Sequence, residues 1–255
     1  MSLLEVRNVS RRFGTLAAVD GVSMGLEAGE LRAVIGPNGA GKTTFFNMVS
    51  GFFSPSSGTI LFVGHDITRL SVAQRVKMGI ARTFQITEVF PELTLRENLQ
   101  IAAEIAAGLR LRPWIGRSAG ERLRARAVEL LERGGLNALA DRVVGELAHG
   151  DQRATEIMMA LALEPRLLLL DEPSQGLAPI IVRDVFEIIA ATRKEGLSVL
   201  LVEQNVRVAV QIADRAYVLD DGRIVYSGSA AELAADEERV RALAGASAGS
   251  WEKSR

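Results

Sequence analysis

A short glycine-rich segment after an apolar run constrains this chain more than any other feature. The run covers residues 31–35, which is too short for a helix, so it predicts a buried strand. In the segment that follows, two glycines flank four residues and precede a lysine and a threonine. The segment consists of Gly36, Pro37, Asn38, Gly39, Ala40, Gly41, Lys42 and Thr43. With a predicted helix after it, this pattern indicates a phosphate-binding loop, and Thr44 completes the candidate contacts.

Each part of the loop has a chemical reason. Glycines let the backbone wrap an anion and point N–H groups at it, and the helix that starts near Lys42 directs its positive end to the same place. Lys42 is expected to reach the β and γ phosphates of a nucleotide, and the Thr43 hydroxyl is expected to bind Mg²⁺. The alternative is a glycine-rich turn with an incidental lysine, and the flanking strand and helix argue against it.

An apolar strand that ends in two acids is the second candidate element. Residues 167–170 are four leucines, and Asp171 and Glu172 follow them. Open parallel sheets bind ligands at the carboxyl ends of their strands. Asp171 is therefore a candidate Mg²⁺ ligand, and Glu172 is a candidate general base for the attacking water. An Asp-Glu-Pro that merely ends a strand is the alternative, which the phosphate loop in the same chain disfavours.

The composition excludes several classes of protein. The 255 residues suit one core with an appendage, and a net charge of −1 argues against a protein that coats nucleic acid. Cysteine is absent and His65 and His149 are the only histidines, so neither a thiol nucleophile nor a multi-histidine metal site is expected. Without a signal peptide or an apolar run of about 18–20 residues, we expect a soluble or peripheral protein.

The distribution of apolar residues predicts an α/β fold. Residues 1–30 alternate and predict short antiparallel strands with a turn near Phe13. An Ala/Leu/Glu/Arg-rich middle region favours helices, which we predict over residues 95–111, 121–132 and 155–163. Short strands are then predicted over residues 167–170, 198–202 and 216–219, with a hairpin at Asp221-Gly222. Strands that alternate with helices indicate a mostly parallel sheet.

Residues 3–243 resemble the ATP-binding subunits of ABC transporters, because these motifs occur in the order of that family. The resemblance implies a P-loop NTPase core of mostly parallel sheet, an N-terminal antiparallel β subdomain and an inserted α-helical subdomain, with ATP and Mg²⁺ bound. Phe13 resembles the aromatic residue that stacks on adenine, although a core position stays open. Gln85, in the segment ARTFQ, is similar to the family's Q-loop glutamine, which contacts Mg²⁺ and water.

We divide the chain accordingly. The nucleotide-binding core is predicted to be discontinuous, with residues 1–94 and 165–243. The helical subdomain is predicted to cover residues 95–164, and a flexible tail to cover residues 244–255.

Ala148, His149 and Gly150 stand where the family has its signature motif. In the family this segment starts a helix and binds the γ-phosphate held by the other subunit. Ala148 replaces the usual serine, which removes one hydrogen bond to phosphate, and His149 replaces a glycine. Gly150 and the amides of the helix start remain, and a capping or solvated role for His149 stays open.

Gln204 stands where the family pattern has its switch histidine. A glutamine can hydrogen-bond to a γ-phosphate but carries neither a proton nor a full charge, so slow hydrolysis or dependence on a partner site is expected. Ala178 likewise replaces the D-loop aspartate. The segments LAHGDQ, DEPSQGLAP and LLVEQN resemble the two different ATPase subunits of branched-chain amino acid importers, and the choice between the two stays open.

The resemblance also implies partners. ATP is expected to lie between two ATPase chains in a head-to-tail dimer, so a second ATPase subunit, identical or different, is required. Two membrane-spanning permease subunits and, indirectly, a substrate-binding protein complete the expected assembly on the cytoplasmic face of the cell membrane. No nucleic acid is expected.

Three other functions fit the same nucleotide site. One is an ATPase subunit of an ABC exporter of lipid or polysaccharide, and another is a soluble ABC ATPase that acts on nucleic acid or ribosomes. The single ATPase unit and the near-neutral charge argue against the latter. The third is a regulatory module that binds nucleotide without hydrolysis, which Ala148 and Gln204 suggest.

Overall fold

The computed structural model describes residues 2–83, 89–108 and 117–245. Its strands are β1 (Ser2–Phe13), β2 (Leu16–Glu27), β3 (Leu31–Ile35), β4 (Ser57–Phe62), β5 (His65–Asp66), β6 (Ile80–Arg82), β7 (Leu167–Asp171), β8 (Ser198–Glu203), β9 (Arg215–Asp220) and β10 (Arg223–Ser229). Its helices are α1 (Lys42–Ser50), α2 (Val72–Lys77), α3 (Leu95–Ala106), α4 (Arg117–Arg133), α5 (His149–Ala162), α6 (Pro179–Lys194), α7 (Val206–Ile212), α8 (Ala230–Ala235) and α9 (Glu237–Gly245). The predicted α/β fold class is confirmed.

The first sheet is antiparallel, with the strand order β2-β1-β4-β5. β1 and β2 form one hairpin whose turn includes Gly14 at a φ of 59°, where the sequence predicts a turn. The expectation of short strands is wrong, because each strand has 12 residues. Register shifts along the pair interrupt the alternation of apolar and polar residues. The sequence pattern therefore predicts several short strands where the structure has one long hairpin.

The second sheet has the order β10-β9-β3-β8-β7-β6 and is parallel except for β10. The strands predicted after Pro165 and the hairpin at Asp221-Gly222 are confirmed. In β7, Leu167 and Leu169 enter the core that α1 and the first sheet share, whereas Leu168 and Leu170 enter the core beneath α5 and α6. The sheet is therefore buried on both faces, and a ligand can reach it at the ends of its strands.

The helical block predicted from composition consists of α3, α4 and α5, which pack together. The first helix ends earlier than predicted, at Ala106, and the third begins at His149 rather than at residue 155. Composition misses this first turn because histidine, glycine and aspartate are weak helix formers. The division into core and helical subdomain remains a prediction. Residues 244 and 245 of the predicted tail belong to α9, and the rest of that tail lies outside the described residues.

Arg75, in a helix that the sequence analysis does not predict, holds the C-terminal end of α1. Its side chain is 1% exposed and donates hydrogen bonds to the carbonyl oxygens of Met48 at 2.7 Å and Val49 at 2.6 Å. It also donates to those of Ile67 at 2.6 Å and Leu70 at 3.1 Å. Burial lowers the pKa of Arg75 to about 10, so the group stays charged and opposes the negative end of the helix dipole.

We predict that Arg75→Met lowers the free energy of unfolding by about 3 kcal/mol, because buried carbonyl groups lose their donor. Denaturation with urea measures this change. Arg69→Met is the matched control, since Arg69 is exposed in the same segment, and its effect should stay below about 0.5 kcal/mol. Equal effects of the two substitutions would contradict the anchoring role.

Candidate nucleotide-binding and catalytic site

The phosphate loop joins the end of β3 to the start of α1, as predicted. Gly41 precedes the helix at a φ of 95°, and Gly39 has a φ of 83°, both in the region that favours glycine. The Phe45 N–H donates to the Gly41 carbonyl oxygen at 2.8 Å, so the helix begins directly on the loop. The N–H groups and the dipole of this helix end favour an anion there.

Two glycines of the loop lie against the backbone of neighbouring strands. A Cβ on Gly36 would lie 2.2 Å from the Leu219 carbonyl oxygen in β9, and a Cβ on Gly41 would lie 2.2 Å from the Ala18 carbonyl oxygen in β2. These distances are far below van der Waals contact, so only glycine fits at both positions without a shift of the loop or the strand.

Lys42 connects the loop to the end of β7. Its buried ammonium donates to the carbonyl oxygens of Gly36 at 2.9 Å and Pro37 at 3.0 Å. The same Nζ atom lies 3.4 Å from Glu172 Oε1. The ammonium is therefore placed to exchange these oxygens for those of a phosphate.

Asp171 ends β7 and is fully buried. Arg82 Nη2 lies 3.3 Å from Asp171 Oδ2, whereas Oδ1 has no hydrogen-bond partner within the described part of the chain. Burial raises the pKa of Asp171 to about 6, although the charge of Arg82 opposes this shift. A buried carboxylate oxygen without a donor suits a divalent cation, so Asp171 fits the predicted Mg²⁺ ligand. Thr43, in the first turn of α1, lines one cleft with Glu172, the residue after Asp171.

Glu172 has a φ of 44°, a left-handed conformation that costs a non-glycine residue about 1–2 kcal/mol. Its N–H donates to the Val202 carbonyl oxygen in β8 at 2.8 Å. Strained residues of this kind concentrate at active sites. Glu172 lines one cleft together with Lys42, Thr43 and Thr44, so the structure brings together the two elements that the sequence singled out.

Glu203 ends β8 and holds two loops at this edge of the sheet. Its carboxylate accepts hydrogen bonds from the Ser174 N–H and hydroxyl, both at 2.9 Å, and from the N–H groups of Gln204 at 3.1 Å and Asn205 at 3.2 Å. Burial raises the pKa of Glu203. These bonds place Gln204 in a cavity of about 380 Å³ that Glu172 also lines.

Phe13 lies at the rim of the phosphate-loop cleft, whose volume is about 620 Å³. Its side chain is 47% exposed, so the alternative of a core position is wrong. The ring packs edge-on against Phe53 with centroids 5.9 Å apart, and the Arg11 guanidinium lies 4.9 Å from its centroid. An exposed aromatic ring at this rim suits stacking on a nucleotide base.

The signature segment begins α5, with Ala148 as an extended N-cap and His149 exposed. A Cβ on Gly150 would lie 2.2 Å from Ile181 Cγ2, so only glycine lets α5 approach α6 here. In the described ranges, these three residues do not line the phosphate-loop cleft, and Ala148 and Gly150 line a separate cleft beside α6. Gln85 lies outside the described residues.

Comparison with known proteins agrees with this geometry. Residues 19–175 match the family model described as "ABC transporter". The high-affinity branched-chain amino acid transport ATP-binding protein LivG of Escherichia coli is 38% identical over 250 residues, which cover 95% of this chain and 98% of LivG. The chain belongs to the ABC transporter family.

This ABC protein is also similar to an exporter subunit and to a solved ATP-binding cassette. The lipopolysaccharide export system ATP-binding protein LptB of Haemophilus influenzae is 35% identical, over 96% of this chain and 98% of LptB. The ADP conformation of MJ1267, an ATP-binding cassette of an ABC transporter, has a TM-score of 0.83 and 32% identity over 94% of this chain and 98% of that one. The chain is thus an ATP-binding subunit that hydrolyses ATP, as predicted. No described helix of this ABC ATPase is long and apolar enough to cross a membrane.

Sequence reasoning misses three charged residues of the ABC ATPase site, namely Arg82, Arg153 and Glu203. Glu203 has a signal that could have revealed it, because an apolar strand ends in an acid there, as it does at Asp171. The two arginines have none. Arg82 is 89 positions from Asp171 in the sequence and contacts its carboxylate. Arg153 is 18 positions from Asp171 and donates to its backbone carbonyl oxygen, so only the fold brings these groups together.

Gly41→Ala should destabilise the ABC ATPase by at least about 2 kcal/mol more than Gly39→Ala. Both glycines have positive φ, but an added Cβ meets the Ala18 carbonyl oxygen at 2.2 Å from Gly41 and no atom within 4 Å from Gly39. Because the backbone strain is shared, the difference isolates the close contact. Chemical denaturation measures it, and equal losses would refute the steric account.

Proposed function

We propose that this ABC ATPase energises a membrane importer of branched-chain or other hydrophobic amino acids. The likeness to LivG, which extends over nearly the full length of both chains, carries the proposal. The segments LAHGDQ and LLVEQN support it, since they resemble the ATPase subunits of such importers. The transported substrate is expected to contact a permease and a separate binding protein rather than this chain.

The nucleotide would lie in the cleft of the phosphate loop. The backbone N–H groups from Gly36 to Thr44, except at Pro37, would surround its phosphates, and Phe13 would stack on its base. Because Lys42 is 3.4 Å from Glu172, a γ-phosphate would compete for the same ammonium. Its arrival would free the Glu172 carboxylate to accept a proton from water.

Mg²⁺ fits beside this cleft. Thr43, Asp171 and Gln85 would hold it, and this assignment is supported by Asp171 Oδ1, which has no hydrogen-bond partner among the residues that the structure describes. When bound, the ion neutralises phosphate charge. Gln204, on the loop that Glu203 holds, would hydrogen-bond to the γ-phosphate in place of a histidine.

A second ATPase chain would complete each site. The separate clefts of the phosphate loop and the signature segment support this arrangement, because Ala148, His149 and Gly150 of one chain would then meet the nucleotide of the other. ATP would favour the closed dimer, and hydrolysis would reopen it. Two permease subunits on the cytoplasmic face of the membrane would receive this motion.

A second candidate function is the energising of a lipid or polysaccharide exporter. The 35% identity to LptB favours it, and the nucleotide site does not separate the two functions.

Purification from native membranes in mild detergent, followed by proteoliposome assays, distinguishes these functions. We expect multi-span permeases to co-purify, and ATP hydrolysis to rise when a binding protein loaded with leucine, isoleucine or valine is added. The same binding protein loaded with aspartate or arginine is the control. Stimulation by lipopolysaccharide alone would favour the exporter, and recovery of ribosomes or nucleic acid would overturn the transport proposal.

We predict that Glu172→Gln lowers ATP turnover at least about 100-fold, because glutamine cannot accept the proton of water. ATP affinity should change less than about threefold, since the loop amides and Lys42 remain. Phosphate release and binding of a fluorescent ATP analogue measure the two effects. Glu232→Gln, at an exposed position of α8, is the matched control and should retain activity. Unchanged turnover in Glu172→Gln would remove Glu172 from the mechanism.

A further inference from the structure

Arg153 lies in the first turns of α5 and points at the end of β7. Its side chain is 7% exposed. Arg153 Nη2 donates to the Asp171 carbonyl oxygen at 2.8 Å and to the Glu172 carbonyl oxygen at 3.3 Å. Arg153 Nη1 donates to Glu156 Oε2 at 2.6 Å, one turn further along the same helix. The carboxylate thus orients the guanidinium toward two consecutive backbone carbonyls.

These two carbonyls flank the strained Glu172. Its left-handed φ of 44° departs from the extended backbone of β7, so the chain turns sharply there. Two other contacts restrain this turn, from the Glu172 N–H to Val202 and from the Gln175 N–H to the Glu172 carbonyl oxygen at 3.0 Å. Arg153 adds a contact from the helical block, and it brings a charged donor to both peptide units.

We propose that Arg153 is a positioning residue for Glu172. It holds the Asp171–Glu172 backbone in the conformation that directs the Glu172 carboxylate to Lys42 and the cleft. The inference rests on the proposed role of Glu172 as the base.

A consequence concerns the signature segment. Arg153 and Ala148 belong to the same helix start, so a displacement of this end of α5 acts on the backbone of Glu172. A nucleotide that contacts the signature segment of one chain would therefore adjust the base of that same chain, which serves the other nucleotide of the dimer.

The test uses the detergent-purified assembly that contains the full chain, with Mg-ATP. Arg153→Met removes the donors but keeps an unbranched side chain, whereas Arg153→Lys restores one charged donor and Glu156→Gln weakens the orientation of the guanidinium. Arg124→Met, at an exposed position of α4, is the matched control. Steady-state phosphate release gives kcat and KM, and single-turnover release gives the rate constant of the hydrolysis step. A fluorescent ADP analogue gives Kd without Mg²⁺, and thermal denaturation reports folding.

We expect Arg153→Met to lower kcat at least about tenfold, with KM and the ADP Kd changed less than about threefold. Arg153→Lys should recover part of kcat, and Glu156→Gln should show an intermediate loss. If Arg153→Met does not fold, the same comparison of kcat with KM in Arg153→Lys and Glu156→Gln decides the question.

Two results would overturn the inference. One is a kcat within twofold of the unmodified chain in Arg153→Met, or in both other variants. The other is a parallel loss of kcat, nucleotide affinity and thermal stability, which would indicate a structural role only. If Glu172→Gln is inactive, either result would reject the positioning role of Arg153 and leave Glu172 as the base. If Glu172→Gln is active, Glu172 itself is not the base.

Discussion

The phosphate loop is held where two sheets meet, and the rest of the site is arranged around that contact. Gly36 lies against β9 and Gly41 against β2, each at a distance that leaves no room for a Cβ. The Gly222 N–H, in the turn after β9, also donates to the Ala40 carbonyl oxygen at 3.0 Å. The antiparallel sheet therefore forms one wall of the nucleotide cleft and carries Phe13 to its rim.

The parallel sheet supplies the charged wall of the same cleft. β3, β8 and β7 are adjacent, and their carboxyl ends lie at the same edge of the sheet. The phosphate loop, the Asp171–Glu172 pair and Glu203 therefore meet there, although they are far apart in the sequence. Three buried acids would repel one another at this edge. Lys42 lies 3.4 Å from Glu172 and Arg82 lies 3.3 Å from Asp171, so these two cations offset part of that charge. Arg153 is paired with Glu156 and binds the backbone carbonyl oxygens of Asp171 and Glu172 instead.

The parts of this site that the sequence predicts are those with local patterns. The loop after β3 and the acids after four leucines are continuous segments whose spacing follows from phosphate and metal chemistry. Arg82 and Arg153 could not be predicted, because an arginine in a strand or helix gives no indication of the acid or carbonyl that it meets in three dimensions. The start of α5 was missed for a different reason, since its residues are weak helix formers and packing of Gly150 against α6 decides the outcome.

Arg75, at the C-terminal end of α1, and Asp171, at the end of β7, respond differently to acidification. The pKa of Arg75 is about 10 and that of Asp171 is about 6. Acidification from neutrality therefore adds a proton to Asp171 while Arg75 keeps its charge and its carbonyl partners. The helix that presents the phosphate loop therefore keeps the anchor at its C-terminal end when the carboxylate at the end of β7 becomes neutral.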